Sequence, residues 1–334
     1  MKTLKMHLMA ILAVISYILQ PLLNWRSEVG AVVTADLLAA LTTNYRVIYK
    51  KALSEQAARM SDYKEIATIF NSTSDKESYN WLGDYPQLAE WKDKRQLRGL
   101  RDFDYTLTNK HYEATIEVDR DTVRDDKYSL ITPRVQGLAG STLRYFNNKV
   151  FSQLDDGATL LAYDGAAMFA DTRVIGGSAN IDNLMSGAYS GSTTEARAGL
   201  AAAIALMQNY TDDWGEPLNL TPDTIVCPPA MYLLLKEAFL TPSVSGTPRP
   251  ESEFIKRIIS TPYCNLNAVD WYILCTTAEV KPIIFQLRQA PTFESLDDPK
   301  SSWVFMNKTF VYGVDARFEV GYGDPRTAIK VDDT

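Results

Sequence analysis

The stretch GVDARFEVGYGDPRTAIKV (Gly313–Val331) decides how the chain is read. Gly321 and Gly323 stand beside Asp324, as glycines and an acidic residue do in some nucleotide sites. A dinucleotide fingerprint, however, needs a third glycine and a place between a strand and a helix. Here the third glycine is missing, Pro325 removes a backbone donor, and the residues that follow (TAIKV) read as strand. No GxxxxGK[ST] phosphate loop occurs anywhere in the chain. The spacing predicts a strand, a tight Gly-Asp-Pro turn and a closing strand, that is, a hairpin.

Working outward, the bulk numbers narrow the function classes. The chain has 334 residues, 46% hydrophobic and 22% charged, with a formal net charge of −7. That is ordinary globular composition, and the length predicts two domains. An acidic chain has no sequence-wide basic surface for gripping nucleic acid, so any contact with DNA is local or indirect. The three cysteines, Cys227, Cys264 and Cys275, form no CxxC pair and read as buried thiols. Only two histidines occur, His7 and His111. Histidine catalysis or metal ligation therefore has at most one candidate, and no catalytic, cofactor-binding or metal residue is nominated. The adjacent carboxylates Asp125-Asp126, Asp155-Asp156, Asp212-Asp213 and Asp297-Asp298 sit at helix ends or loops. Adjacent side chains cannot by themselves span a cleft as glycosidase acids do. Asp171, beside Thr172 and Arg173, reads as a turn as readily as a ligand.

The N-terminus stands apart. Lys2 and Lys5 precede the apolar run Leu8 to Leu19, which has the outline of a signal peptide but is short for a membrane span. Bulky residues follow it where a cleavage site would have small ones. The helical pattern at Thr34-Ala35-Asp36 looks like a natural start. Residues 1–33 are therefore expected to be a mis-set start or an arm that orders on assembly.

Apolar residues at three- and four-residue steps predict a helix from Thr34 to about Ser61, capped by Thr34. A long helix is predicted from about Thr132 to Leu154, with Pro133 in its first turn. Two more are predicted at Thr194 to Tyr210, capped by Thr194, and Ala230 to Leu240. Tyr105 to Arg120 reads as a two-stranded ribbon that turns at Asn109-Lys110-His111. Strands are predicted at Thr224–Cys227, Val269–Cys275, Pro282–Leu287, Trp303–Phe305, Thr309–Val314, Arg317–Tyr322 and Thr327–Val331. Without regular βαβ alternation, the class is α+β. Residues 71–101 are aromatic and loop-like. Trp81, Tyr85 and Trp91 need cover, from a partner or from a short internal core, and the mixed basic cluster with Arg95 and Arg98 reads as an intersubunit ion-pair surface rather than a DNA-binding one.

This order of parts resembles the major capsid proteins of tailed phages, the Hong Kong 97-type fold. More closely, the residues resemble the Mu-like phage major head subunit (gpT) family. The resemblance is carried by YPQLAEWKDKRQLRGLRDFDYTLTNKHYEATIEVDRDTVRDD, YDGAAMFADTRVIGG, VDWYIL, KPIIFQLRQAP and WVFMNKTFVYGVDARFEVGYGDPRTAIKV, in that order from Tyr85 to Val331. The segment before Val32 departs from the pattern.

The resemblance implies a structural protein that self-assembles into hexamers and pentamers of an icosahedral shell enclosing phage or prophage DNA without sequence-specific binding. It implies an N-terminal helix and arm at 34–103 and an extended β-hairpin loop at 104–121. A peripheral domain with a long spine helix would comprise 122–157 and 288–334, and an axial domain 158–287. Lys110, His111 and Tyr112, on the ribbon, join Trp81, Tyr85, Trp91, Arg95 and Arg98 as intersubunit contact candidates. It further implies a scaffold, a portal and a maturation protease as partners, no cofactor and no membrane. The place would be the virion capsid, assembled in the bacterial host cytoplasm. Two alternatives are an encapsulin-like nanocompartment shell and an exported binding protein using residues 8–19 as its signal.

Overall fold

The computed structural model describes residues 35–80, 104–124, 128–175, 178, 180–212, 214–240, 243–244, 247–248, 253–264, 269–298 and 300–332. Seven helices appear among them: α1 (Ala35–Ala57), α2 (Asp62–Ile66), α3 (Arg120–Arg124), α4 (Tyr128–Asp155), α5 (Thr193–Asn209), α6 (Tyr232–Phe239) and α7 (Ser302–Asn307). The early strands are β1 (Ala67–Asn71), β2 (Lys76–Ser78), β3 (Thr106–Thr108), β4 (Lys110–Asp119), β5 (Leu184–Ser186) and β6 (Thr224–Cys227). The later ones are β7 (Ser243–Val244), β8 (Thr247–Pro248), β9 (Arg257–Ser260), β10 (Trp271–Leu274), β11 (Ile283–Leu296), β12 (Thr309–Tyr322) and β13 (Ala328–Asp332).

Two larger sheets organise the strands. A four-stranded sheet has the order β1-β11-β12-β4, with β1 parallel to β11. A five-stranded sheet has the order β5-β13-β10-β6-β9. In it β10 runs antiparallel to both β13 and β6, while β5 is parallel to β13 and β9 to β6. Backbone contacts divide the chain into two compact units. One comprises Met1–Lys50, Thr115–Gly137 and Phe293–Gly313; the other comprises Lys51–Ala114, Leu138–Thr292 and Val314–Thr334.

The smaller unit is held by aromatic rings. Tyr45 meets Tyr312 edge-on at 5.4 Å, Tyr312 stacks with Phe293 at 6.0 Å, and Phe293 meets Tyr49 at 5.5 Å. All four rings are buried, and offset or edge-on pairs of this kind add to the stabilisation from area burial alone.

The larger unit is built on both faces of the five-stranded sheet. Period-two alternation sends Ile225, Cys227, Trp271, Ile273, Ile329 and Val331 into a core shared with Ala196, Leu200 and Ala203 of α5 and Leu235 and Phe239 of α6. The intervening Val226, Tyr272, Leu274 and Ala328 enter a second core with Leu143, Phe146, Val150 and Leu154 of α4. Central strands covered on both faces read as unbroken apolar runs, which explains why TIVC and WYIL are buried at every position. Within the second core, Phe146, Phe285 and Phe318 pack mutually at 4.8–5.2 Å, with Tyr63 against Phe285 at 5.3 Å.

Several expectations are corrected. The Gly313–Val331 stretch is not a hairpin: β12 belongs to the four-stranded sheet and β13 to the five-stranded one. Burial gives the reason. Along β12 every second residue is buried until the last turn, whereas β13 is buried at four successive positions and needs cover on both faces. The crossover is a single 3-10 turn, Pro325–Thr327, capped by Asp324, whose side chain accepts from the Arg326 N–H. The closing strand therefore pairs with β10 and β5 rather than returning to β12.

The ribbon at 105–120 is not a two-stranded unit either. β3 pairs with β2, and β4 joins the edge of the four-stranded sheet beside β12. Asn109 is the cause. Its buried side chain donates to Ser72 Oγ and the Ser74 carbonyl, and its N–H donates to the Asp75 carbonyl, so the chain is pinned there instead of turning.

Trp303–Phe305 is helix, not strand, because Ser301 caps α7 by accepting from the Val304 N–H. Thr309–Val314 and Arg317–Tyr322 are one continuous strand. The cap of α5 is Ser192, two residues before Thr194. Helix α4 starts at Tyr128, which leaves Pro133 inside it rather than in its first turn. The Thr34 cap and the apolar run at 8–19 lie outside the described residues. Among the described residues, no helix is long and apolar enough to cross a membrane.

Candidate functional site

Among the described residues, several side chains of the types enzymes use are bonded within the fold. Asp155 accepts the Tyr272 hydroxyl at 2.7 Å inside the core. Asp212 accepts the N–H groups of Trp214 and Glu216 in a turn. Asp298 accepts the N–H of Lys300, and Asp125-Asp126 lie outside the described residues. All three cysteines are buried; burial pushes the Cys227 thiol up to about 12, so it stays protonated and inert at neutral pH. Among the described residues, no group of three metal-ligating side chains comes together.

The loop YDGAAMFADTRVIGG, described as far as Ile175, is held by buried polar side chains. Arg173 is buried and pairs with Asp164, Nε to Oδ2 at 2.9 Å, while its other nitrogens donate to the carbonyls of Ala167 and Met168. Burial lowers the Arg173 pKa and Asp164 opposes that. Asn183 closes the loop by accepting from the Ala170 N–H and donating to the Met168, Pro325 and Ala328 carbonyls. Asp171 is exposed, and its side chain accepts from the Thr172 hydroxyl.

What remains is a surface. Of the contact candidates, Trp81, Tyr85, Trp91, Arg95 and Arg98 lie outside the described residues. Lys110, His111 and Tyr112 open β4, the strand at one edge of the four-stranded sheet. Lys110 reaches Glu319 of β12 at 2.7 Å, an exposed lysine on a largely covered carboxylate. Such half-solvated pairs fix register more than they stabilise, at roughly 0–1 kcal/mol. His111 is exposed. Tyr112 turns inward, its ring 4.4 Å from Phe318 and 5.3 Å from Tyr145.

Beside Tyr112 is a cleft of about 340 Å³, lined by Ala114 on β4, by Ser141, Thr142, Tyr145 and Phe146 on α4, and by Ala316 and Phe318 on β12. The Lys149 ammonium stands 5.8 Å from both the Tyr112 and Tyr145 ring centres, a cation–π arrangement at the cleft's border. Desolvation, then the nearby Glu319, pushes the Tyr112 hydroxyl up to about 12, so it is neutral at all ordinary pH values. Sequence pattern placed Tyr112 on an inward-facing row. It gave no sign of the cleft, because small residues on three separate elements create it.

Comparison with known proteins gives this surface its context. The family described as "Mu-like prophage major head subunit gpT" matches residues 38–195 and 256–334, well over half of the chain. The chain belongs to this family. The Mu-like prophage FluMu major head subunit of Haemophilus influenzae is 28% identical over 291 residues, covering 87% of this chain and 71% of that protein. The major capsid protein of Escherichia phage Mu is 25% identical over 300 residues, covering 90% and 75%. Among solved structures, the procapsid of bacteriophage JBD30 superposes with a TM-score of 0.54 at 24% identity, over 89% of this chain and 75% of that one. A virus-like particle from Pyrococcus furiosus gives 0.53 at 11% identity, over 87% and 98%. These likenesses establish the fold: α+β, of the Hong Kong 97-type phage capsid class. This head subunit is structural, and the nanocompartment alternative is not favoured.

Proposed function

We propose that many copies of this chain tile, as hexamers and pentamers, into the icosahedral shell that encloses phage or prophage DNA. Membership of the major head subunit family carries the proposal. Two physical features support it: an edge strand and an open aromatic cleft. The net negative chain suits a container that holds DNA without gripping it. On this reading the subunit resides in the virion capsid, is assembled in the bacterial host cytoplasm, and works with a scaffold, a portal and a maturation protease. No catalytic role is assigned to it.

Within the shell, 104–121 serves as the segment that meets a neighbouring copy, and Lys110, His111, Tyr112, Trp81, Tyr85, Trp91, Arg95 and Arg98 lie at intersubunit contacts. Residues 122–157 and 288–334 form the peripheral part and 158–287 the axial part, except that β13 pairs with β10 and β5. Electron microscopy of the purified recombinant chain tests the proposal. Closed shells or capsomer rings are expected; a field of isolated subunits at high concentration contradicts it.

A further inference from the structure

We propose that a short apolar knob on one copy of this chain seats in the aromatic cleft of a second copy. The inference deepens the assembly reading and rests on it.

The knob is α7, a helix of 6 residues held at both ends. Ser301 Oγ accepts the Val304 N–H, and Lys308, in the left-handed conformation with φ 56°, donates its N–H to the Val304 carbonyl. Val304 is fully buried and anchors the helix from below. That leaves Trp303 46%, Phe305 78% and Met306 80% exposed. Scattered apolar side chains on a surface are ordinary, but three in one rigid turn mark an interaction site. Double capping also means the knob already has its shape before contact, which lowers the ordering cost of binding.

The receiving cleft has the matching character. Its volume of about 340 Å³ equals that of roughly ten waters at ~30 Å³ each. Ala114, Ser141 and Ala316 make the room, and Tyr112, Tyr145, Phe146 and Phe318 make the walls. Water against such walls is poorly hydrogen-bonded, and an apolar group that displaces it gains affinity. Rings and thioethers both favour contact with aromatic edges, so phenylalanine and methionine are apt occupants.

Charge points to the same partner. The exposed row of β4 next to the cleft carries Glu113 and Glu117, while exposed Lys300 and Lys308 flank the knob. Used head to tail, the contact is heterologous: each copy inserts one knob into a second copy and receives one from a third. Such contacts propagate into rings or arrays instead of closing a pair.

The test uses the full chain with Phe305→Cys and Ser141→Cys combined, oxidised after assembly. The native cysteines are buried and give little background. The proposal expects a ladder of covalent multimers from the double variant and none from either single variant. It also expects Phe305→Asp with Met306→Asp, both at exposed positions, to fold normally yet lower the assembled fraction at least tenfold. Wild-type shells accompanied by normal assembly of the aspartate variant overturn the inference while leaving the assembly reading intact. So does cross-linking by Phe305→Cys alone, which would mean that knob meets knob. A wild-type chain that stays monomeric overturns both.

Discussion

At the scale of single residues, Gly323 shows what the Gly-Asp-Pro turn is for. Its N–H donates to the Pro282 carbonyl at 2.8 Å, and a Cβ added there would stand 2.0 Å from the Lys281 carbonyl oxygen. The glycine permits one backbone to cross another, where the chain leaves one sheet for the next. Gly323→Val should cost about 3 kcal/mol or more, since backbone on the far side cannot yield as a flexible side chain can. Gly137 is the control: nothing lies within 4 Å of its added Cβ, and it sits inside α4. Gly137→Ala should stabilise by about 0.5–1 kcal/mol. Urea unfolding of the unassembled subunit measures both, and a neutral Gly323→Val would refute the close-crossing account. The buried Arg173–Asp164 pair is a second sensitive point. Asp164→Ala removes the carboxylate paired with this buried guanidinium, leaving only the more weakly acting Asp324, and should cost roughly 3–5 kcal/mol by the same unfolding measurement. A loss under about 1 kcal/mol would mean that the carbonyls of Ala167 and Met168 suffice to hold the arginine.

At the scale of elements, regular periodicity was legible and partner choice was not. Tyr45, Tyr49, Leu143, Phe146, Val150 and Leu154 stand on the buried faces that helical spacing assigned to them. TIVC and WYIL declared themselves as strands because apolar runs bounded by turns leave few other choices. The departures came where one residue outweighed a pattern. Ser301 turned an apolar WVF into a helix, and Asn109 cancelled a hairpin by bonding to the 72–75 turn. The Ser301 bond is a local cap and the Asn109 bonds reach far back along the chain; hydrophobic period encodes neither. The cap of α5 allows a clean test. Ser192→Ala should cost about 1 kcal/mol, whereas Thr194→Ala should change stability by less than about 0.5 kcal/mol. The reverse ranking in thermal unfolding would show that the helix begins at Thr194 after all.

For the whole molecule, composition limits the chemistry available to the chain, but the cleft beside Tyr112 was not legible in it. Two histidines and no phosphate loop reduce the chemistry available to a chain of any fold. The cleft beside Tyr112, by contrast, needs Ala114, Ser141 and Ala316 brought together from separate elements, a juxtaposition created only by folding. The strand crossover at Gly323 is similar: alternation in β12 and continuous burial in β13 were visible as patterns, yet the assignment to two sheets required the tertiary structure. The central claim is that this head subunit is made to associate with copies of itself. Sedimentation velocity on the purified full-length chain tests that most directly. A fast, narrow boundary of closed particles or capsomers, growing with concentration at the expense of slow material, is the expected result. A single slow boundary at the 37.4 kDa of one chain, unchanged over a hundredfold rise in concentration, would contradict it.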